Sequence, residues 1–325
     1  MTHALLKQAT RDHGGGLDAA IQTFGGRRDQ WLDLSTGINP IPWPLPEFTT
    51  DAWTRLPDQG AVRQLCDAAR DFWNVPDGAD ILPCHGASAA IARLPALSQG
   101  RSVQITTPTY NEHAASFRNH GWDVSDHAGD CRVVVHPNNP DGRLWNAEEL
   151  TSSFTVIDES FCDICPDQSH IIRSTRPGTI VLKSFGKFWG LAGLRLGFVI
   201  GDPALVGHLR EILGPWSVSG PALEAGTAAL QDLQWASDTR THLASDTDRL
   251  DTLMVKAGLR NPRGTTLFRL YDTANAQTLQ NHLAQHHIWS RIFPYSDSFI
   301  RLGLPGTTAQ WHQLETAIST MELSV

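Results

Sequence analysis

The sequence Ser184-Phe-Gly-Lys187-Phe-Trp-Gly-Leu-Ala-Gly193-Leu-Arg195-Leu-Gly197 directly follows a short apolar run that ends at Leu182. Aromatic side chains flank Lys187, and apolar surroundings lower the pKa of an amine because they disfavour its charged form. A lysine that is partly neutral is a nucleophile suited to forming a Schiff base. Ser184 and Arg195 add a hydroxyl and a planar guanidinium, two groups that bind phosphate well. The segment therefore predicts a reactive lysine beside a phosphate site.

Around this segment, short apolar runs alternate with stretches of helical pattern, which is typical of an α/β domain. The runs lie at residues 81–82, 103–105, 133–135, 156–157, 180–182 and 197–200. A run that is apolar at every position suits a strand that helices cover on both faces. The sequence therefore predicts a mostly parallel sheet.

The pattern changes near Pro221, where longer helices begin. The apolar positions of the longest one share a face and are followed by Gly258, a common helix terminator: Leu243, Leu250, Leu253 and Met254. Strand-like pieces follow at residues 267–270, 289–293 and 299–302, with a helix-like stretch at 278–287. We expect residues 1–46 to form a lid or arm on a small C-terminal α+β domain at 236–325, and residues 47–235 to form the large domain.

The composition is that of an ordinary globular protein, with 325 residues of which 41% are hydrophobic and 18% are charged. A net charge of -8 without any basic block argues against nucleic acid or an anionic membrane as the main partner, since both bind surfaces rich in Lys and Arg. No apolar stretch approaches the ~20 residues that a membrane helix needs. Residues 1–11 lack the apolar core of a signal peptide, so we expect a cytoplasmic protein.

The cysteines and histidines do not predict a metal site. Five cysteines at uneven spacing fit reduced thiols, and the pair Cys162-Asp-Ile-Cys165 has no second pair with which to bind zinc. His282, His286 and His287 include the i,i+4 spacing that a zinc site could use, but no further ligand is evident. We expect a solvated helix face there and no metal.

The Lys187 segment matches the pattern S-x-x-K followed by G-x-R-x-G, and in this the chain resembles the fold-type-I pyridoxal 5'-phosphate (PLP) enzymes, the aspartate-aminotransferase superfamily. The resemblance implies a three-layer α/β/α fold with a smaller α+β domain, and PLP as the cofactor. It implies that Lys187 carries PLP and that Ser184 and Arg195 bind its phosphate. Asp158, at the end of the run 156–157, corresponds to the carboxylate that keeps the pyridine nitrogen protonated and makes the ring an electron sink. Lys187 and Asp158 are therefore predicted catalytic residues.

Other segments carry the same resemblance. His136-Pro-Asn-Asn139-Pro140-Asp-Gly142 resembles the family's N-P-x-N-P-T-G turn, in which the residue equivalent to Asn139 bonds the phenolic oxygen of PLP. Gly86-Ala87-Ser88 resembles the cup in which a helix N-terminus meets the cofactor phosphate. Pro108-Thr-Tyr110 matches the point at which the family stacks an aromatic ring on PLP, so we assign Tyr110 to the cofactor site and to the catalytic group.

One further segment matches the family and two positions depart from it. Phe299-Ile-Arg301-Leu-Gly303 resembles the last strand, whose arginine binds the substrate α-carboxylate. The chain reads Asp158-Glu-Ser-Phe161 where many relatives have D-E-A-Y, so one hydrogen bond to the cofactor oxygen is missing. It has Leu56 before Pro57-Asp58, where many relatives have a Tyr that reaches the PLP phosphate of the neighbouring subunit.

The N-terminal part narrows the resemblance. The sequences Asp12-His13-Gly14-Gly15-Gly16-Leu-Asp18 and Trp31-Leu-Asp33-Leu-Ser35-Thr36-Gly37-Ile-Asn39-Pro40 resemble the threonine-phosphate decarboxylases of cobalamin biosynthesis, a subgroup close to the histidinol-phosphate aminotransferases. The usual D-E-A-F of that subgroup also accounts for Phe161. The resemblance implies decarboxylation of L-threonine O-3-phosphate to (R)-1-aminopropan-2-yl phosphate, by an enzyme that is a homodimer.

A substrate with both a carboxylate and a phosphate needs two anion sites besides that of the cofactor. Arg301 suits the first, and Arg291 with His13 and the amides of Gly14 and Gly15 suits the second. The full predicted substrate site is His13, Gly14, Gly15, Gly37, Asn139, Arg291 and Arg301. A histidinol-phosphate aminotransferase is the main alternative, because the same catalytic residues serve both reactions. A catalytically silent PLP-binding partner protein is the other, although the intact Lys187 and Asp158 argue against it.

Overall fold

The computed structural model describes residues 12–321, so the predicted absence of a signal peptide at residues 1–11 falls outside the described part. The α-helices in this part are α1 (Leu17–Phe24), α2 (Thr50–Thr54), α3 (Gln59–Trp73), α4 (Ala87–Ile91), α5 (Asn111–Asn119), α6 (Pro203–Leu213), α7 (Gly220–Gln231), α8 (Leu233–Lys256), α9 (Ala276–Gln285) and α10 (Thr308–Ser319). The strands are β1 (Leu32–Asp33), β2 (Asp80–Cys84), β3 (Ser102–Ile105), β4 (Asp123–Ser125), β5 (Cys131–Val135), β6 (Phe154–Asp158), β7 (Thr179–Ser184), β8 (Gly197–Gly201), β9 (Arg260–Thr265), β10 (Phe268–Asp272), β11 (Ile288–Trp289), β12 (Arg291–Phe293) and β13 (Ser296–Leu302).

The large sheet has seven strands in the order β2-β8-β7-β6-β5-β3-β4. Strand β8 pairs antiparallel with both of its neighbours, and the other pairs are parallel. All six apolar runs of the sequence form strands of this sheet, and the predicted mostly parallel sheet is confirmed. The sequence missed β4, because this edge strand is short, polar and half exposed.

Successive residues of each central strand pack on opposite faces of the sheet, since side chains alternate along a strand. In β6, Val156 packs with α4, α5 and α6 on one face, whereas Ile157 packs with α3 and α7 on the other. Strands β5 and β6 are buried along their whole length. The sheet is thus the middle of three layers, as expected.

The smaller sheet has four antiparallel strands in the order β12-β13-β10-β9. Helices α8, α9 and α10 pack with it, and Leu250, Leu279 and Leu314 belong to one core that continues into the face of the large sheet covered by α3. The predicted single strand at 289–293 is wrong. The chain changes direction at the buried Ser290, and Trp289 ends β11 whereas Arg291 starts β12 in the smaller sheet.

The N-terminal segment packs on this C-terminal region. Strand β1 pairs in parallel with β11, and α1 contacts α9 through Leu17 and Ala20. The chain then passes under the loop of Lys187, where the backbone amides of Asn39 and Trp43 donate to carbonyls of that loop. The residues before α2 therefore connect the small sheet with the predicted reactive lysine.

No helix among residues 12–321 is both long enough and apolar enough to cross a membrane. The five cysteines are all free thiols. His282 Nε2 and His286 Nδ1 each bond a backbone carbonyl oxygen, at 2.8 Å and 3.0 Å. Their imidazoles therefore support the ends of α9 and α10.

Candidate active site

The carboxyl ends of β3, β5, β6 and β7 meet at one edge of the large sheet, where ligands commonly bind in open α/β folds. Two adjoining cavities lie there and share Tyr110, Asn139, Phe161 and Lys187. The inner cavity also contains Ala87, Ser88, Asp158, Ser184 and Arg195. The outer cavity, of about 350 Å³, also contains His13, Gly14, Gly37, Arg291 and Arg301. The structure thus brings the predicted residues together, except that Gly15 and Gly86 line neither cavity.

Asp158 is a buried carboxylate that is kept ionised. It ends β6 with its Oδ1 accepting from Ser160 N and Oγ, and its Oδ2 lies 2.8 Å from His113 Nε2. Because His113 Nδ1 has no hydrogen-bond partner among the described residues, Nε2 carries the proton toward the carboxylate. Burial alone would raise the pKa of Asp158, but the hydrogen bonds from His113 and Ser160 together hold it below its ordinary value.

Lys187 lies in the loop after β7, half-buried, with its exposed surface in the two cavities. Its Nζ is 5.4 Å from the centre of the Phe161 ring. Burial, and then the positive charges of Arg301 and Arg195, lower the pKa of Lys187 to about 8, although Asp158 acts in the opposite direction. A large part of this amine is therefore neutral in mildly alkaline solution, as a nucleophile requires.

The predicted phosphate-binding residues Ser88, Ser184 and Arg195 line the inner cavity together. Arg195 has a left-handed backbone with φ 54°, and its Nη2 donates to Ser88 Oγ at 2.9 Å. Gly86 has φ 76°, and a Cβ there would lie 2.6 Å from the same Nη2, so a side chain at this position would be strained and would displace the guanidinium. Helix α4 has only five residues, so its N-terminus contributes little to the binding of a phosphate. Arg195 and the neighbouring hydroxyls are the main groups that would attract and hydrogen-bond it.

Arg301, on β13, lines the outer cavity on the side of the small sheet. Its Nη1 donates to Asn139 Oδ1 and its Nη2 donates to Ser35 O at 2.8 Å, while its Nε has no hydrogen-bond partner among residues 12–321. Burial and the charge of Arg291 lower the pKa of Arg301 to about 10. A Cβ on Gly37 would lie 2.8 Å from the Phe268 ring on which Arg301 rests, so Gly37 allows the N-terminal segment to approach.

Arg291 and Arg301 are directly opposite each other on the antiparallel strands β12 and β13. Directly opposed residues project from the same face of a sheet, and like charges in this arrangement destabilise it. Both arginines line the outer cavity. Asp12 compensates the charge of Arg291, whereas among the described residues Arg301 donates only to neutral oxygens, so the pair suits the binding of anions.

Most residues of the predicted substrate-phosphate site already have partners within the chain. His13, Gly14 and Arg291 line the outer cavity, but His13 Nε2 pairs with Glu112 Oε1 at 2.9 Å. Arg291 Nη1 pairs with Asp12 Oδ1 at 2.6 Å. The assignment of the Gly15 amide is wrong, because that amide donates to Ser35 Oγ at 2.7 Å, outside the cavity. The tripeptide 14–16 thus serves to fold the segment against Ser35.

Sequence reasoning also missed a buried ion-pair network behind the sheet. Lys183 Nζ lies 2.7 Å from Glu159 Oε2 and 3.8 Å from Asp163 Oδ1, and all three side chains are buried. The carboxylate of Asp163 also accepts from the indole nitrogens of Trp73 and Trp189, at 2.8 Å and 3.1 Å. Trp189 belongs to the Lys187 loop, so this network fixes the loop from the side opposite to the cavities. His113 was missed as well, because only its position one helical turn after Tyr110 connects it with the site.

The fold and this arrangement of side chains define a PLP-dependent enzyme of the aminotransferase type. The family model of class I and II aminotransferases matches residues 45–318. The chain is 39% identical to a threonine-phosphate decarboxylase of Sinorhizobium sp over 96% of this chain and 98% of the relative. It is 37% identical to a threonine-phosphate decarboxylase of Pseudomonas aeruginosa over 94% of this chain and 97% of the relative.

The chain therefore belongs to the class I and II aminotransferase family, and within it to the group of threonine-phosphate decarboxylases. A solved histidinol-phosphate aminotransferase of Sinorhizobium meliloti, in complex with PLP, has the same fold with a TM-score of 0.82. That likeness covers 98% of this chain and 96% of the other, at 18% identity.

The residues present fit PLP. The inner cavity is lined by an ionised carboxylate, a lysine of lowered pKa and a guanidinium with hydroxyls. These are the kinds of group that the pyridine nitrogen, the aldehyde and the phosphate of PLP require. The space that Gly86 leaves beside Arg195 is a cradle that any side chain would fill. The chain is PLP-dependent.

Proposed function

We propose that the protein decarboxylates L-threonine O-3-phosphate to (R)-1-aminopropan-2-yl phosphate, a reaction that the resemblance connects with cobalamin biosynthesis. The observation that carries this proposal is the pair of arginines on opposed strands of the outer cavity, in a chain whose near-full-length relatives are threonine-phosphate decarboxylases. In this proposal Arg301 would bind the α-carboxylate and Arg291 the phosphate. A substrate with only one anion would use Arg301 and leave Arg291 in its ion pair with Asp12.

PLP, when bound, supplies an aldehyde for the substrate amine and a ring that accepts the electron pair left by the departing group. Asp158 is the group placed to hold a proton on the ring nitrogen, because its carboxylate stays ionised and stabilises a cation beside it. Tyr110 would cover one face of the ring, and Asn139 would meet its phenolic oxygen. Ser88, Ser184 and Arg195 would hold the phosphate.

Lys187 has two tasks in this proposal. Its neutral Nζ would bind the cofactor aldehyde, and after the carboxylate has left it would return a proton to the substrate Cα. A pKa of about 8 suits both tasks, since the amine exchanges protons readily near neutral pH. Phe161 and Phe268 lie around this lysine and Arg301 and exclude water from that side of the site.

The choice between decarboxylation and transamination depends on substrate orientation. The bond that breaks must stand perpendicular to the cofactor ring. A tight grip of Arg301 on the carboxylate stabilises the ground state, which slows the departure of that group. Binding of the remote phosphate by Arg291 would set the angle of the Cα–carboxylate bond and offset this ground-state stabilisation.

The test is to incubate the holoenzyme with L-threonine O-phosphate without any keto acid, and to follow CO2 together with aminopropanol phosphate. We expect both products in equal amounts. Conversion of the cofactor to its pyridoxamine form by histidinol phosphate, without CO2 release, would instead establish the aminotransferase. Lys187→Ala should abolish both the visible absorbance of bound PLP and the activity. Lys256→Ala, which removes a surface lysine at the end of α8, is the control. If the wild-type holoenzyme formed no product from either substrate and the absorbance of its bound PLP did not change, it would be the silent PLP-binding protein.

We also propose a homodimer. Large apolar side chains are exposed around α2 and the start of α7, among them Trp53 at 69%, Leu56 at 67% and Trp216 at 60%. Apolar surface of this kind is typical of a protein–protein interface. Sedimentation of the holoenzyme should give twice the chain mass, and Leu56→Asp should shift it toward the monomer. The predicted cytoplasmic location and the domain limits at residues 46 and 235 stay predictions.

A further inference from the structure

Asp12 is an acidic side chain inside a cavity built for anions. Its Oδ1 lies 2.6 Å from Arg291 Nη1, and its backbone oxygen accepts from Arg291 Nη2 at 3.0 Å and from Asn111 Nδ2 at 2.8 Å. Arg291 is only 12% exposed, and both of its Nη atoms donate to Asp12. Asp12 therefore occupies the position that an anionic ligand of Arg291 would need.

The backbone contacts hold this residue in place independently of its charge. Two of the three hydrogen bonds use the carbonyl oxygen of Asp12, which any residue would provide. The next residues are anchored separately, His13 to Glu112 and Gly15 to Ser35. The carboxylate is thus the part of Asp12 that can leave Arg291 while the segment stays folded. Its side chain is 41% exposed, which leaves room for it to rotate into water.

The charge of Asp12 also reduces the repulsion between two arginines of the small sheet. Arg291 and Arg301 oppose each other on β12 and β13, and Asp12 brings a negative charge to that pair. A phosphate dianion would provide the same compensation more strongly, because it has more charge and more acceptor oxygens. A singly charged or neutral group would gain less from displacing the carboxylate.

We propose that Asp12 is an internal counter-ion of Arg291 that the substrate phosphate displaces, and that it keeps weakly bound anions from occupying the site. The proposal rests on the proposed function, in that the displacing group is taken to be the phosphate of the substrate. Asp12 would lower the affinity of Arg291 for every anion. Weakly bound anions would then no longer occupy the site, whereas phosphate monoesters would still bind. The carboxylate thereby stabilises the ligand-free site.

The test is Asp12→Asn, which removes the charge but keeps the size and the backbone oxygen. Because an ion pair at a partly exposed site is worth about 1 kcal/mol, we expect roughly fivefold tighter binding of L-threonine O-phosphate and of inorganic phosphate to the holoenzyme. Calorimetry or the change in cofactor absorbance measures both. L-Threonine, which lacks the phosphate, should bind as it does to the wild type. The variant should also unfold at a lower temperature, since Arg291 loses its counter-ion.

Two controls make the result specific. Asp18→Asn changes the net charge equally in the same segment, but Asp18 pairs with Arg28 at the surface, so phosphate affinity should not change. In an Arg291→Gln background, Asp12→Asn should have no effect on phosphate affinity, because the proposed coupling passes through Arg291. Tighter binding that persists in that background would refute the proposal.

Weaker binding by Asp12→Asn would also refute it and would show that Asp12 orients Arg291 for the ligand. Unchanged affinity together with a lower unfolding temperature would mean that the ion pair is structural only. The failure of the proposed function looks different: the wild-type holoenzyme would release no CO2 from L-threonine O-phosphate, while the affinity of inorganic phosphate would still decide the role of Asp12.

Discussion

Lys183 and Lys187 are four residues apart, and their replacement by methionine should change the free energy of unfolding in opposite directions. Lys183 is buried with two carboxylates, whereas Lys187 is half-buried near two guanidiniums. The pKa of Lys183 is raised by Glu159 and Asp163, which outweigh the lowering effect of burial. The pKa of Lys187 is lowered to about 8, mainly by burial.

The magnitudes follow from these environments. Lys183→Met leaves Glu159 and Asp163 without their cation, and loss of one partner of a buried ion pair costs about 3–5 kcal/mol. For Lys187, the difference between a pKa of about 8 and the ordinary 10.5 corresponds to about 3 kcal/mol. Because this side chain faces a cavity that water enters, screening reduces the effect, and we expect Lys187→Met to stabilise the PLP-free protein by about 2 kcal/mol at pH 7.

The pH dependence gives a second, independent test. Since the folded pKa of Lys187 lies below that of the unfolded chain, its charged form destabilises the fold below pH 8, and this cost disappears as the pH rises toward 10.5. The gain from Lys187→Met should thus shrink to about 1 kcal/mol at pH 9. The raised pKa of Lys183 and the lowered pKa of Glu159 keep their ion pair intact over this range, so the loss from Lys183→Met should not change.

The assay is denaturant unfolding of the PLP-free protein at pH 7 and 9, with Lys256→Met as the surface control. If Lys187→Met were destabilising, or its effect were the same at both pH values, the assignment of Lys187 as a destabilised buried cation would be wrong. If Lys183→Met were neutral, the network behind the sheet would have no stabilising role.

Two further predictions concern the cofactor site. His113→Leu removes the hydrogen bond to Asp158, so kcat should fall about thirtyfold, which corresponds to a loss of ~2 kcal/mol. The acid limb of the pH profile should also move to higher pH, because the pKa of Asp158 rises. An unmoved profile, or an equal loss of kcat in His120→Leu, would contradict this role of His113. Arg195→Gln should raise the dissociation constant of PLP about tenfold, because a charge-assisted hydrogen bond to phosphate is worth roughly 1.5 kcal/mol. The kcat at saturating PLP should stay similar. Arg93 lies on the surface nearby, and Arg93→Gln should leave PLP binding unchanged.

The sequence predicted those parts of the fold whose residues are buried on both faces. Strands β5, β6 and β7 read as continuous apolar runs because helices cover both sides of the large sheet. Strand β9 was missed because it is an edge strand with the polar sequence Arg260-Asn-Pro-Arg-Gly-Thr265, largely exposed, and its proline is tolerated at an edge. The split between β11 and β12 was missed because residues 289–293 read as one strand in the sequence. In the structure Trp289 and Arg291 belong to two different sheets.

In the site, local motifs predicted which residues meet, but not how their charges are compensated. Asp158 and Lys187 each belong to a continuous motif, and the two motifs follow the neighbouring strands β6 and β7. The topology of the sheet therefore brings them together. The partners of their charges come from distant parts of the chain. His113 reaches Asp158 from α5, and Asp12 reaches Arg291 across 279 positions of sequence. Pairings at such separation leave no periodic pattern that a single sequence could reveal.

The alternation of side chains along a strand explains why neighbouring residues at the sheet edge have opposite tasks. At the end of β6, Asp158 faces the inner cavity, and the next residue, Glu159, pairs with Lys183 on the other face. At the end of β7, Ser184 faces the cavity and Lys183 the network. The same two strand ends therefore present Asp158 and Ser184 to the inner cavity on one side and are joined by a buried ion pair on the other. Opposite charges thus connect β6 and β7 directly behind the cavity, on the face that a ligand in the cavity does not reach.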